Sequence, residues 1–362
     1  MEKFVQGLKL SELYYWKCVR PIIESHYEKL KYSCGLIGPG SEVLGFDTPM
    51  SRDHHWGPRL VLFLREKDYS TYRNKLSKIL SHELPYQFMG YWTSFTKGNE
   101  RGAERIQEKI ASGPVSHFVD IVTPKYFFAE HLGFDPERKI SILNWLTVPS
   151  QNLRILTEGK IFHDGLKVKN IQRRLKSYPK DIWLYLLSAQ WSCLNQEVPF
   201  VGRCGEVGDE LGAHVVTARV IKNLMRLCFL MERQYAPYSK WYGTGFSRLK
   251  CSKKLNPIFI SALSEKNWKA RQKILAKSYK LIGEMHNSLK ITWAVHVKIS
   301  QFHKRPFLTI NASDFSCRIR NSIRNRKIKN LKAQIGSIDT YVDSVDVLVK
   351  KGLYKKLQQL YF

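Results

Sequence analysis

Two carboxylates and an imidazole stand in this chain where they could hold a divalent cation: Asp53, His55 and Asp120. Residues 53 and 55 flank His54, and on an extended strand both would project from one face, as two ligands of one metal must. Asp120 is the single acid of the run Ser116-His117-Phe118-Val119-Asp120-Ile121-Val122, the form of a buried strand that presents one carboxylate. Upstream, Gly40-Ser41 follows the apolar residues Cys34 to Ile37, and a glycine there lets backbone N–H groups come close to a phosphate. Metal held by acids beside a phosphate cradle is the chemistry of phosphoryl and nucleotidyl transfer. Mg²⁺ or Mn²⁺ would orient a nucleoside triphosphate, activate a hydroxyl and neutralise the leaving pyrophosphate. Histidine is a poorer ligand than a carboxylate for hard Mg²⁺ and suits Mn²⁺ or Zn²⁺ better, so His55 is the weak point of the constellation.

Three further places carry chemistry. In Phe200-Val201-Gly202-Arg203-Cys204-Gly205-Glu206-Val207-Gly208-Asp209-Glu210-Leu211-Gly212 the glycines are too frequent for an ordinary helix and point to tight packing or a turn. Glu206 or Asp209 reads either as a general base toward an acceptor hydroxyl or as the acid of a structural bridge to Arg203. In Arg233-Gln234-Tyr235-Ala236-Pro237-Tyr238-Ser239-Lys240-Trp241-Tyr242-Gly243, Tyr238 or Trp241 could stack on a base and Lys240 reach a triphosphate. An aromatic corner packing a helix end explains the same residues. His163-Asp164 has no second His-Asp constellation to complete a metal site, and Glu104 and Glu108 read as the solvated face of a helix over 101–111.

The elements that must position these residues follow from periodicity. Leu10, Leu13, Tyr14, Val19, Ile22 and Ile23 predict a helix over residues 8–30. Residues 31 to about 135 alternate strands and helices in the order of a small mixed sheet with helices on one side. Beyond about 139 the stretches 181–196, 209–233 and 267–293 are helical in period. The expected architecture is α+β, with a sheet domain over 1–137 and a helical bundle over 138–362.

Gly40 to Leu64, Gly159-Lys160-Ile161-Phe162-His163-Asp164-Gly165, Tyr178-Pro179-Lys180-Asp181-Ile182-Trp183-Leu184-Tyr185 and the block from Phe200 to Leu249 together resemble a mostly bacterial family of nucleotidyltransferase-like proteins, catalogued as a domain of unknown function. The family belongs to the polymerase-beta-type nucleotidyltransferase superfamily and usually carries Asp-His-Asp where this chain has Asp53-His54-His55. The resemblance implies a nucleotide-binding fold and names no substrate. Two functions follow as expectations. One is a metal-dependent transfer of a nucleoside monophosphate to a hydroxyl acceptor, with Asp53, His55 and Asp120 on the metal, Gly40, Ser41 and Lys240 on the triphosphate, and Asp53, Asp120 and Glu206 in catalysis. The other is a catalytically silent module of the same fold that binds nucleotide or RNA.

Charge is the strongest compositional signal: 59 Lys and Arg against 31 Asp and Glu leave a net +28 over 362 residues. That excess points to a polyanion as partner. It is densest in Arg318, Arg320, Arg324, Arg326, Lys327, Lys329 and Lys332, where Ile319, Ile323, Ile328 and Leu331 are spaced for one amphipathic helix with a basic face along which RNA could lie. A solvated helix in a lysine-rich protein fits the same spacing. The seven Cys lack metal-ligand spacing and fit reduced thiols, the N-terminus has no signal-peptide pattern, and no apolar run approaches the roughly 20 residues of a membrane span. The expectation is a soluble cytoplasmic protein.

Overall fold

The computed structural model describes residues 4–97, 104–332 and 334–362. The chain divides into two compact units, Met1–Lys139 with Asn152–Lys176, and Ile140–Gln151 with Ser177–Phe362. The boundary expected near residue 137 falls beside the first crossing, and two further crossings follow because 152–176 returns to the first unit.

The first unit opens with α1 (Gly7–Tyr14), a π turn (Tyr15–Val19) and α2 (Arg20–His26), which turn Leu10, Tyr14, Tyr15, Val19 and Ile23 inward at helical spacing. β1 (Tyr32–Leu36) and β2 (Arg59–Leu64) are buried along their whole length, as continuous apolar runs should be. After α3 (Glu66–Glu83) come two short ribbons, β3 (Gln87–Phe88) with β4 (Tyr91–Trp92) and β5 (Ser94–Phe95) with β6 (Gln107–Glu108). Next are β7 (Phe118–Val122) and α4 (Pro124–Leu132). α5 (Ile142–Thr147) belongs to the second unit, and α6 (Ser150–Glu158) leads into β8 (Lys160–Asp164) and α7 (Val168–Leu175). The sheet order is β7-β2-β1-β8, with β1 antiparallel to both neighbours and β2 parallel to β7.

Alternation along β2 decides what covers the sheet. Leu60, Leu62 and Leu64 join one core with Leu10 and Tyr14 of α1 and Leu76 and Leu80 of α3. Phe63 points the other way and meets Phe127 of α4 edge-on at 5.3 Å. The sheet expected to carry helices on one side is therefore covered on both. The helix expected over 101–111 is also corrected: Gln107 and Glu108 pair with Phe95 and Ser94 as a strand, while 101–103 lie outside the described residues.

The second unit is built on α8 (Lys180–Glu206) and α9 (Glu210–Met231), joined through residues 207–209 and packed side by side. α10 (Tyr242–Ser247), α11 (Ser252–Ser264) and α12 (Trp268–Ser288) follow, then the antiparallel hairpin β9 (Ile299–Phe302) and β10 (Arg305–Ile310), so the unit is not a pure bundle. α8 runs unbroken through Gly202 and Gly205, where the glycine pattern had argued against an ordinary helix. A Cβ on Gly205 would lie 2.1 Å from Trp268 and one on Gly202 2.4 Å from Phe307, so both glycines serve packing. The single basic helix expected over 318–332 is two: α13 (Ala312–Asn321) ends, and Asn325 caps α14 (Arg326–Lys329) by accepting from Lys327 and Ile328 N–H. Ile319, Ile323 and Ile328 stay buried across the break. The chain finishes with α15 (Ile338–Tyr341), α16 (Asp346–Val349) and α17 (Gly352–Leu357). Among the described residues no helix is long and apolar enough to cross a membrane, and all seven cysteines are free.

Candidate functional site

Asp120 stands where the apolar run of β7 placed it. The parallel register sets Arg59 against Phe118 and Val61 against Asp120. Because Val119 and Ile121 enter the core shared with α1 and α3, residues 118 and 120 share the opposite face with Arg59 and Phe63. The Asp120 side chain reaches solvent, yet the protein crowded around it raises its pKa above the ordinary carboxylate value. That desolvation outweighs the opposing pull of Arg73, His131, Arg105 and Arg59. The charges of four basic side chains thus act on one carboxylate.

Arg59 is itself committed. Its Nε donates to Glu42 Oε1 at 2.6 Å, Nη2 lies 2.5 Å from the same oxygen, and Nη2 also donates to the Pro39 carbonyl at 2.6 Å. Glu42 is buried, and the guanidinium carbon of Arg59 stands 5.5 Å over the Phe118 ring. Arg105 shares that ring from 4.4 Å and donates to the His117 carbonyl, while its buried Nε has no hydrogen-bond partner among the described residues. Desolvation lowers the Arg105 pKa, opposed by Asp120.

Gly40 and Ser41 follow β1 as expected, and residues 41–45 form a five-residue turn closed by Phe46 N–H donating to the Ser41 carbonyl. Gly40 has φ +144°, and a Cβ there would lie 2.2 Å from Arg59 Nη2 and 2.7 Å from Glu42 Oε2. Glycine is required by the buried ion pair passing beside it. Asp47 ties this loop to α1: its Oδ2 accepts from Gly7 N–H at 2.7 Å and from Trp56 Nε1 at 3.0 Å.

Asp53 and His55 do not lie on a strand. Asp53 ends a 3₁₀ turn over Pro49–Asp53, and His55 has φ +50° with its N–H donating to the Arg105 carbonyl at 2.7 Å. The strand begins only at Arg59, after Gly57-Pro58, so the alternation that would aim both side chains at one ion is absent. Asp53 is exposed and pairs with His54 Nδ1 at 3.0 Å. A desolvation cost on its carboxylate is overcome by the His54 hydrogen bond and charge, and its pKa is lowered. Desolvation, reinforced by Arg59, His54 and Arg105, lowers the His55 pKa, so the ring is neutral at neutral pH. Its centroid is 6.1 Å from Phe118. Among the described residues no three His, Cys, Asp or Glu side chains gather as metal ligands.

The remaining candidates belong to the second unit. Glu206 is exposed and pairs with Arg305 at 3.1 Å, and that cation rather than Arg203 is its partner. Asp209 caps α9 by accepting from Gly212 N–H at 2.7 Å. Lys240 lies exposed, its Nζ 5.3 Å over the Trp241 ring. Tyr238 N–H donates to Gln151 Oε1. In the first unit Asp164 Oδ1 accepts from Val168 N–H at 2.6 Å at the start of α7, a structural use of the His163-Asp164 pair. Glu42, Arg59 and Arg105 received no role in the sequence reading. Glu42 and Arg59 lie inside the Gly40–Arg59 segment, where acid and base seventeen residues apart gave no local sign of pairing.

Fold and site define a mixed α/β protein of two units, in which basic side chains act on the Asp120 carboxylate of the sheet. Residues 145–242 match the family described as Domain of unknown function (DUF4037). The match takes in β8, α8 and α9 and excludes Gly40, Asp53, His55 and Asp120. No curated protein matches the chain.

Proposed function

We propose that the first unit is a catalytically silent nucleotidyltransferase-like module that binds the phosphates of a nucleotide through basic side chains. The observation that supports this reading is the set of charges acting on Asp120: Arg73, Arg105, Arg59 and His131 all act on it, while Glu42 pairs with Arg59. With Arg59 cancelled, Arg73 and Arg105 leave an excess of positive charge that favours an anion. Guanidinium groups suit phosphate oxygens because they present paired N–H donors in a fork. A metal-dependent transfer would need Asp53 and His55 beside Asp120, and the 3₁₀ turn and the His54 pair both oppose that arrangement.

The test is calorimetric titration of the whole chain with ATP, GTP, CTP and UTP, in EDTA and then with Mg²⁺ or Mn²⁺. Triphosphate binding that persists in EDTA, and weakens about tenfold in Arg73→Gln and in Arg105→Gln, is expected, the scale on which one charge-assisted hydrogen bond acts. Arg73 is exposed, so its variant keeps the fold. Metal-dependent release of pyrophosphate that disappears in Asp53→Asn and Asp120→Asn would establish the transferase reading instead.

A further inference from the structure

We propose that the exposed basic face of α13 and α14 in the second unit binds the phosphate backbone of double-stranded RNA. Arg318, Arg324, Arg326, Lys327, Lys329 and Lys332 are all exposed, and among the described residues none of them is in an ion pair. Some cations elsewhere in the same unit are matched by acids: Arg219 by Glu197, Lys222 by Asp343, Arg271 by Glu210 and Arg305 by Glu206. The acids near this face are occupied, since Asp181 accepts from Asn325 N–H and Asp314 from Asn311. Like charges on neighbouring turns repel one another, and a polyanion relieves that cost by neutralising them.

What the face lacks selects the partner. A helix that lies on a membrane needs an exposed apolar side, and here Ile319, Ile323 and Ile328 are turned into the core. Unpaired bases need an aromatic platform, but Phe315, the aromatic of α13, is buried and stacked on Trp191 at 4.3 Å. Cations with neither feature contact phosphates, which a duplex presents in regular rows. The exposed amides of Asn321 and Asn330 among the cations can pair with the 2′-hydroxyls that distinguish RNA from DNA.

The experiment is fluorescence anisotropy of the full chain with a labelled RNA duplex of roughly 16 base pairs over a series of salt concentrations. The logarithm of the binding constant should fall linearly with the logarithm of salt concentration. Arg324→Ser/Arg326→Ser/Lys327→Ser should weaken binding at least tenfold and reduce the slope by about 2 to 3, close to the 0.9 per phosphate contact of duplex binding. Lys273→Ser/Lys277→Ser/Lys280→Ser on α12, which removes equal charge from another exposed stripe, should bind like the parent. Equal losses in the two triple variants would overturn the proposal, as would no binding, equal affinity for single-stranded RNA or for duplex DNA, or capture by phosphatidylserine vesicles that the first triple variant abolishes. If thermal melting shows the first triple variant destabilised, Lys327→Ser and Lys329→Ser singly should each lower the slope by about 1, and an unchanged slope overturns the proposal equally.

Discussion

Arg59 passes its guanidinium through the space that a side chain on Gly40 would occupy, with Nη2 2.2 Å from the position of the missing Cβ. The pair it forms with Glu42 is buried, so removing one partner strands the other charge. Glu42→Ala should therefore cost about 3–5 kcal/mol. Gly40→Ala should cost at least about 1–3 kcal/mol, because the methyl displaces the guanidinium at a φ that L-residues rarely adopt. Urea denaturation checks both. Parental stability of Gly40→Ala combined with abolished nucleotide binding would return that glycine to the role of phosphate cradle.

His55 occupies a left-handed backbone position that aspartate also tolerates. His55→Asp should fold normally and place a second carboxylate close to Asp53, in the order of residues typical of the family that the chain resembles. In the parent, triphosphate affinity should be the same with EDTA and with Mn²⁺. In the variant, Mn²⁺ should raise it roughly tenfold, the scale of one additional charge-assisted interaction. Titration calorimetry separates the cases, and a parent already stimulated by Mn²⁺ contradicts the cation-based site.

The difference between what could and could not be read in the chain has a physical pattern. Asp120 was legible because one acid in an apolar run has a strong local signature. Asp53 and His55 were misplaced because the strand starts after Gly57-Pro58, and the turn-forming residues Gly45, Thr48 and Pro49 outweigh the alternation of 53 and 55. The basic helix over 318–332 was read as one because burying Ile319, Ile323 and Ile328 preserves the apolar period across a break that Asn325 caps. The pairing of Arg59 with Glu42 is tertiary, and no local pattern announces it.

Gly205 tests packing against propensity. Alanine is the better helix former by about 1 kcal/mol in an exposed helix interior. Here its methyl would lie 2.1 Å from Trp268 Cγ, and the indole must move for it to fit. Gly205→Ala should destabilise by about 1–3 kcal/mol and lower Tm despite its higher propensity. A raised Tm would mean that the packing of α8 on α12 is looser than this distance indicates.

His286 is fully buried on α12, its ring edge-on to Phe315 at 5.1 Å and to Trp191 at 5.9 Å, and among the described residues neither nitrogen has a hydrogen-bond partner. Burial pushes its pKa down to about 4 from the ordinary 6.5. In the unfolded chain the imidazole takes up a proton below about pH 6.5, whereas the folded protein resists until about pH 4. The unfolded state then binds more protons, so stability is highest above pH 6.5 and falls as pH drops through that window. At about 1.4 kcal/mol per pH unit the loss approaches roughly 3 kcal/mol near pH 4. His286→Phe keeps an aromatic ring against Trp191 and Phe315 but cannot be protonated, so it should shed this part of the pH dependence. Urea midpoints at pH 7.5 and pH 5 for parent and variant measure it, and equal slopes with pH would show that His286 keeps an ordinary pKa in the folded protein.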